Sequence, residues 1–231
     1  MSEEVTQLNG DYVGEVSIAL SPFVCMSLMP PAIAAFNKRH PKASIKVTQS
    51  LFLPVESKLA DGLIDFWIGP IQEAGVSQRF SVERLLPHSR RIAGRRGGPF
   101  SSARSLHELV NASWARPSLD DRSGENDLEM AFERLGLPLP NVVVNSPSML
   151  VTILTVKNTD LLTVLPERMF KLMPLENFCV PLEFISPLTA SPICIVHRQG
   201  LPLTPLAENL SDLMRKAANN YTRSTPLRQI A

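Results

Sequence analysis

From Val13 to Leu20 the chain alternates apolar and polar positions, with Val16, Ile18 and Leu20 on one face. A helical stretch from Pro22 to Arg39 starts directly after Ser21. That pattern is a strand feeding a helix. A second strand over Ser44 to Gln49, a helix from Pro54 to Asp61 ended by Gly62, and an apolar strand over Asp65 to Gly69 (DFWIG) follow. The order β-α-β-α-β predicts a mostly parallel sheet covered by helices, since parallel neighbours need crossover connections.

A second series begins near Arg95. Ser105-Leu106-His107-Glu108 has capping-box spacing, Ser113 to Arg116 is a short strand, and a helix from Glu125 to Leu135 stops at Gly136. Asn141 to Asn145 (NVVVN) reads as a strand, Pro147 to Lys157 as a helix and Leu161 to Leu165 as another strand, so the first alternation is repeated. Ser191 to Gln199 is then a strand. Leu203 to Tyr221 is an amphipathic helix with Leu206, Leu210, Leu213 and Ala217 at helical spacing. Neither has a partner left in the second series, which places both back on the first. The fold class is therefore α/β, with two Rossmann-like subdomains joined where the chain crosses near Ile92–Gly94 and near Pro192–Ile195. The expected division is residues 1–12 as a residual linker, 13–93 and 194–223 as subdomain I, 94–193 as subdomain II, and 224–231 as a flexible tail. Two crossings make a hinge, which suits closure around a ligand.

Composition narrows the function classes. The 231 residues are 44% hydrophobic and 19% charged, a globular balance with room for two cores. A net charge of +1 gives no general attraction to phosphate backbones, so direct DNA contact by this segment is not expected. The start Met1-Ser2-Glu3-Glu4 lacks a secretory pattern, and no run is apolar for the ~18 residues a membrane helix needs; the expectation is a soluble cytoplasmic protein. Cys25, Cys179 and Cys194 are widely spaced, and His40, His88, His107 and His197 are scattered, so neither set has metal-ligand spacing. There is no Gly-x-Ser-x-Gly elbow and no glycine-rich phosphate or dinucleotide loop. No catalytic residue, metal or cofactor is therefore assigned. The basic run His88, Arg90, Arg91, Arg95 and Arg96 could hold an anion, but reads better as a solvated strand edge protected by charge.

The candidate binding feature is a repeated helix start. Leu20-Ser21-Pro22 follows the first strand of lobe one, and Asn145-Ser146-Pro147 follows a strand of lobe two. Serine is a favoured N-cap and proline suits the first helical position. One such pair is simply an economical way to begin a helix. Two at matching places in two lobes, at the carboxyl ends of strands where α/β folds bind ligands, suit a carboxylate, sulfonate or phosphate. Pro22 and Phe23 belong to the first start. Ser118, Ser123 and Ser148 add hydroxyls in lobe two, Ser50 adds one in lobe one, and Phe52 offers an apolar wall.

In order and spacing the chain resembles the effector-binding domain of LysR-type transcriptional regulators from about Asn9 to Arg223. The resemblance is carried by Gly14-Glu15-Val16-Ser17-Ile18, Leu28-Met29-Pro30, Phe36, His40-Pro41, Leu59, Gly62, Ile64-Asp65, Ser105-Leu106 with Leu109, and Leu162 to Pro166. It implies a type II periplasmic-binding-protein-like fold with an effector cleft between two subdomains. By analogy Ser21, Ser50, Phe52, Ser123 and Ser146 fall where effector contacts lie. Pro70 stands where members sensing aromatic acids have arginine, which leaves transfer of their ligand open. The resemblance further implies an aromatic carboxylate or sulfonate effector, and a homodimer through helices 22–39 and 203–221. It likewise implies a tetramer in the full-length protein, with DNA contacted only through an amino-terminal helix-turn-helix outside this chain. A solute-binding protein of a transporter shares the fold and is the alternative; no membrane association is expected in either case.

Overall fold

The computed structural model describes residues 13–116, 126–172, 174–183 and 185–224. The first part of the chain gives β1 (Gly14–Leu20), α1 (Pro22–Ser27), α2 (Met29–Arg39), β2 (Ala43–Gln49), α3 (Glu56–Ala60), β3 (Phe66–Pro70) and β4 (Phe80–Leu86). The middle gives β5 (Ser89–Gly94), β6 (Ser113–Arg116), α4 (Asp127–Arg134), β7 (Asn141–Asn145), α5 (Met149–Lys157), β8 (Thr163–Pro166), α6 (Met169–Leu172), β9 (Val180–Pro181) and β10 (Leu188–Thr189). The last part gives β11 (Ile193–Arg198) and α7 (Pro205–Ser224). Two compact units result: one runs up to Pro87 and resumes at Pro192, and the other is His88–Ser191.

In unit one the sheet order is β2-β1-β3-β11-β4. β1 is parallel to β2 and β3, whereas β11 is antiparallel to β3 and β4. The central β3 is buried at every position, which is why it reads as an unbroken apolar run rather than an alternation. The strand β4 escapes sequence reading because Glu83-Arg84 interrupts its alternation. The helix expected over Pro22 to Arg39 is two helices meeting at Leu28. Pro30 and Pro31 explain the break: they lack N–H donors, and only the first turn of a new helix has no intrahelical use for them. α2 and α7 pack on one another. α7 buries Leu206, Leu210, Leu213, Met214 and Ala217, each large side chain contributing about 1.5–3 kcal/mol.

In unit two β5 pairs antiparallel with β8 on one side and with β9 and β10 on the other. β6 and β7 are parallel, and a parallel bridge between Trp114 and Leu162 links β6 to the start of β8. The sequence β7-β6-β8-β5 thus repeats the β2-β1-β3-β11 arrangement of unit one. Its core gathers Leu109, Trp114, Phe132 and Leu162, with the Trp114 and Phe132 rings edge to face at 6.1 Å. The units divide at Pro87/His88 and Ser191/Pro192. The second division falls at the start of the expected stretch Pro192–Ile195, whereas the first lies before Ile92–Gly94, because Ile92 and Ala93 are register partners of Val164 and Thr163 within unit two. Exposed apolar side chains concentrate on β7 and α5, at Val143, Leu150, Val151 and Leu154.

Candidate functional site

Because β1, β2 and β3 run parallel, their carboxyl ends share one edge of unit one, and that edge carries Ser21, Ser50 and Pro70. Ser21 donates its N–H to the Ile68 carbonyl at 2.8 Å. It is 1% exposed, and its Oγ has no hydrogen-bond partner. Beside it Gly69 must lack a side chain, since a Cβ there would lie 2.9 Å from the Ser21 Cβ and inside the Trp67 ring contact. Ser50 donates its N–H to the Leu20 carbonyl at 2.9 Å, its hydroxyl to the Leu51 carbonyl at 2.9 Å, and accepts the Trp67 indole N–H at 3.0 Å. Pro70 is buried at the end of β3, and Pro22 occupies the first turn of α1.

Phe23 and Phe52 are committed to the core. Phe23 meets the Tyr221 ring edge-on at 5.9 Å, and Phe52 sits 5.3 Å from Trp67 and 5.6 Å from Phe80. The apolar wall expected of Phe52 is therefore a packed ring with 5% of its surface exposed.

Unit two corrects the idea of a matched pair of Ser-Pro starts. Ser146 donates its N–H to the Arg116 carbonyl at 3.0 Å, following the outer strand β7, just as Ser50 bonds to Leu20 after the outer strand β2. Its counterpart in the repeat is Ser50, not Ser21. The N-cap of α5 is Ser148, whose Oγ accepts the Val151 N–H at 3.4 Å, while the Ser146 Oγ accepts the Ser148 N–H at 3.2 Å. Pro147 thus lies before the helix. In unit one α1 has only 6 residues and Ser21 makes no side-chain cap bond, so its dipole is short. Ser118 and Ser123 lie outside the described residues.

The same edge of unit two carries a second set of groups that the sequence reading placed in solvent. β5 is an inner strand, so His88 and Arg90 are buried instead of lining a charged edge. Arg90 pairs with Asp127 at 2.6 Å and donates to the Val164 carbonyl at 3.0 Å. Arg168, two residues past the end of β8, is 3% exposed. Burial, then the nearby Arg90 and Arg168 charges, push the His88 imidazole down to about 3, which keeps it neutral. Ser89 donates to Glu167 at 2.6 Å, Arg91 reaches the same carboxylate at 3.5 Å, and Arg116 pairs with Glu129 at 2.8 Å. Only Arg95, paired with Asp160 at 2.6 Å, and Arg96 keep the expected solvated character. The signal that could have revealed this cluster is the apolar tail of β5: Ile92-Ala93-Gly94 belongs in a core, and the arginines enter with it.

Among the described residues no group of three His, Cys, Asp or Glu could hold a metal ion. Burial raises the thiols of Cys25, Cys179 and Cys194 to about 11, so none is a ready thiolate nucleophile. No helix among the described residues is long and apolar enough to cross a membrane.

Residues 9–219 match the model of the LysR substrate binding domain. The chain is 23% identical over 224 residues to the HTH-type transcriptional regulator GbpR of Azospirillum brasilense, covering 96% of this chain and 65% of that protein. Across curated relatives of this kind it spans between 53% and 65% of their length. Among solved structures it resembles the BenM effector binding domain with its effector benzoate (TM-score 0.71, 16% identity, 94% of this chain and 98% of that one). It also resembles the effector binding domain of QuiR in complex with shikimate (TM-score 0.72, 13% identity, 90% and 98%). The fold is thus of the type II periplasmic-binding-protein-like kind.

Proposed function

Because the chain belongs to the LysR substrate-binding domain family, we propose that it is the effector-sensing part of a transcription regulator and that its effector is a small carboxylate or a related anion. The observation that carries this is Ser21: a buried hydroxyl without a hydrogen-bond partner, directly after the inner strand β1. A buried polar group left unsatisfied is destabilising, by about 1–3 kcal/mol, so such a hydroxyl is poised for a ligand oxygen. Anion preference no longer rests on paired helix starts. It rests on the guanidinium groups of Arg90, Arg116 and Arg168 at the strand-end edge of unit two, two of which already hold carboxylates, those of Asp127 and Glu129, the chemistry an oxyanion ligand would use. Benzoate and shikimate, the ligands of the two solved domains, are both carboxylates.

Both passages of the chain between units leave from the strand-end edges: β4 ends at Leu86 and β5 begins at Ser89, β10 ends at Thr189 and β11 begins at Ile193. An effector acts through its differential affinity for two arrangements of the protein, which in a longer regulator would reach a DNA-binding segment. The regulator relatives disfavour the transporter alternative, and the chain is read as a sensor without catalysis. A second copy of the chain is the occupant we propose for the remaining apolar surface. The exposed remainder of α7 is polar (Glu208, Asp212, Lys216, Asn219), so helix 203–221 contributes less to that contact than its pattern suggests. Ile33 and Ala34 on helix 22–39, and Val143, Leu150 and Leu154 on β7 and α5, are the apolar groups available to it.

Thermal shift with a panel of benzoates, hydroxylated ring carboxylates and sulfonates tests the binding reading, since a ligand specific for the folded state raises its melting temperature by mass action. Ser21→Leu and Ser146→Leu should each weaken the shift at least tenfold in ligand concentration, and Ser102→Leu, on the surface, should leave it unchanged. No shift with any anion, or equal effects at all three serines, overturns it.

A further inference from the structure

Unit two contains a cavity between its sheet and α4, lined by Arg90, Trp114, Arg116, Leu128, Glu129 and Val164 among others. Two ion pairs frame it. Arg90 of β5 holds Asp127, and Arg116 of β6 holds Glu129, so the first turn of α4 is fastened to two strands. Within that frame the polar groups are not all satisfied. The indole N–H of Trp114, on a side chain 1% exposed, has no acceptor, and Oε2 of Glu129 has no donor. The cavity leaves about 20 Å³ open to the centre of a water-sized sphere. A water molecule needs roughly 10–15 Å³ by that measure and two to four polar partners.

We propose that this cavity is a binding site for a single ordered water, which accepts the hydrogen bond of Trp114 Nε1 and donates one to Glu129 Oε2. A space of that size suits a single water, and the pairing of one stranded donor with one stranded acceptor favours its occupation over a dry void. An apolar cavity of that volume stays empty, but here Leu128, Val142 and Val164 form only part of the wall. The water completes a third tie between α4 and the sheet. Arg116, whose carbonyl receives the Ser146 N–H, forms part of the wall. The site stands on the cavity and its polar atoms and is independent of the effector reading.

The chain carries its own control for the test. It has two tryptophans, and the other, Trp67, donates its indole N–H to the Ser50 carbonyl at 3.0 Å. In ¹⁵N-edited water NOE and ROE spectra of the full 231-residue chain, the Trp114 indole proton should show a cross-peak to a long-lived water, and the Trp67 indole proton none. Trp67→Phe assigns the two signals. Glu129→Leu, which removes the acceptor and fills the space, should abolish the Trp114 cross-peak, while Glu129→Gln, which keeps an acceptor oxygen, should retain it. A Trp114 indole without a water cross-peak in the parent chain overturns the proposal, as does a cross-peak that survives Glu129→Leu in a folded variant.

Discussion

Asp127→Ala tests the internal frame of unit two most directly. The Asp127 carboxylate lies 2.6 Å from Arg90 Nη1, and both side chains are 4% exposed. Removing it leaves a guanidinium in the interior with its Val164 carbonyl contact and no facing carboxylate at that nitrogen. Breaking a buried pair from one side is destabilising by about 3–5 kcal/mol, because the surviving charge keeps its desolvation cost. With a urea slope of about 1.5 kcal/mol per M for a unit of this size, the midpoint should fall by about 2–3 M. Trp114 fluorescence in a Trp67→Phe background follows unit two alone, since Trp114 packs on Phe132 in that core. The double variant Arg90→Met with Asp127→Leu removes both charges and should recover most of the loss, within about 1–2 kcal/mol of the parent. A fall of less than about 0.5 M in Asp127→Ala, or a double variant no better than the single, would refute the reasoning.

Two further outcomes follow from the geometry. His88 titrates at about 3 when folded against 6.5 for a free imidazole. Below pH ~6.5 the unfolded chain takes up a proton that the folded chain refuses, so stability should fall by about 1.4 kcal/mol per pH unit between about pH 6 and pH 4. His88→Gln should flatten that part of the urea-midpoint profile, and an unchanged slope argues against a buried neutral imidazole. For self-association, Leu150→Asp with Leu154→Asp should raise the dimer dissociation constant by at least tenfold in sedimentation equilibrium, since each buried leucine is worth about 1.5–3 kcal/mol. A strict monomer in the parent chain removes the assembly reading, and an effect of Ile33→Asp alone would place the contact on α2.

How much of this was readable from the chain depends on which force set each feature. Strands such as Ser113–Arg116 and Asn141–Asn145 were legible to the residue, because short apolar runs between turn signals fix their own limits. The division of helix 22–39 at Leu28 was foreshadowed by Pro30 and Pro31, yet helical periodicity on both sides masked it. β4 and the inner position of β5 were hidden, since strand neighbours are chosen by pairing across the sheet and leave little trace in local pattern. The same holds for the site. Ser21 was identifiable from its place after a strand, but the correspondence of Ser146 with Ser50 needed the register of β6 against β7. The buried arginines went unread because charge in a sequence suggests solvent until a partner such as Asp127, a long way along the chain, is seen beside it.

The insertion of β11 between β3 and β4 has a consequence for the order of assembly. Unit two is one continuous segment, His88–Ser191, whereas unit one lacks an inner strand until residues 193–198 have been made. During vectorial synthesis, β4 emerges with no neighbour to zip onto and must wait for more than a hundred residues while the inserted unit can already close. A stalled or truncated nascent chain ending before Ile193 should therefore hold a finished second unit and an open three-stranded sheet in the first, which makes β11 the latch of unit one.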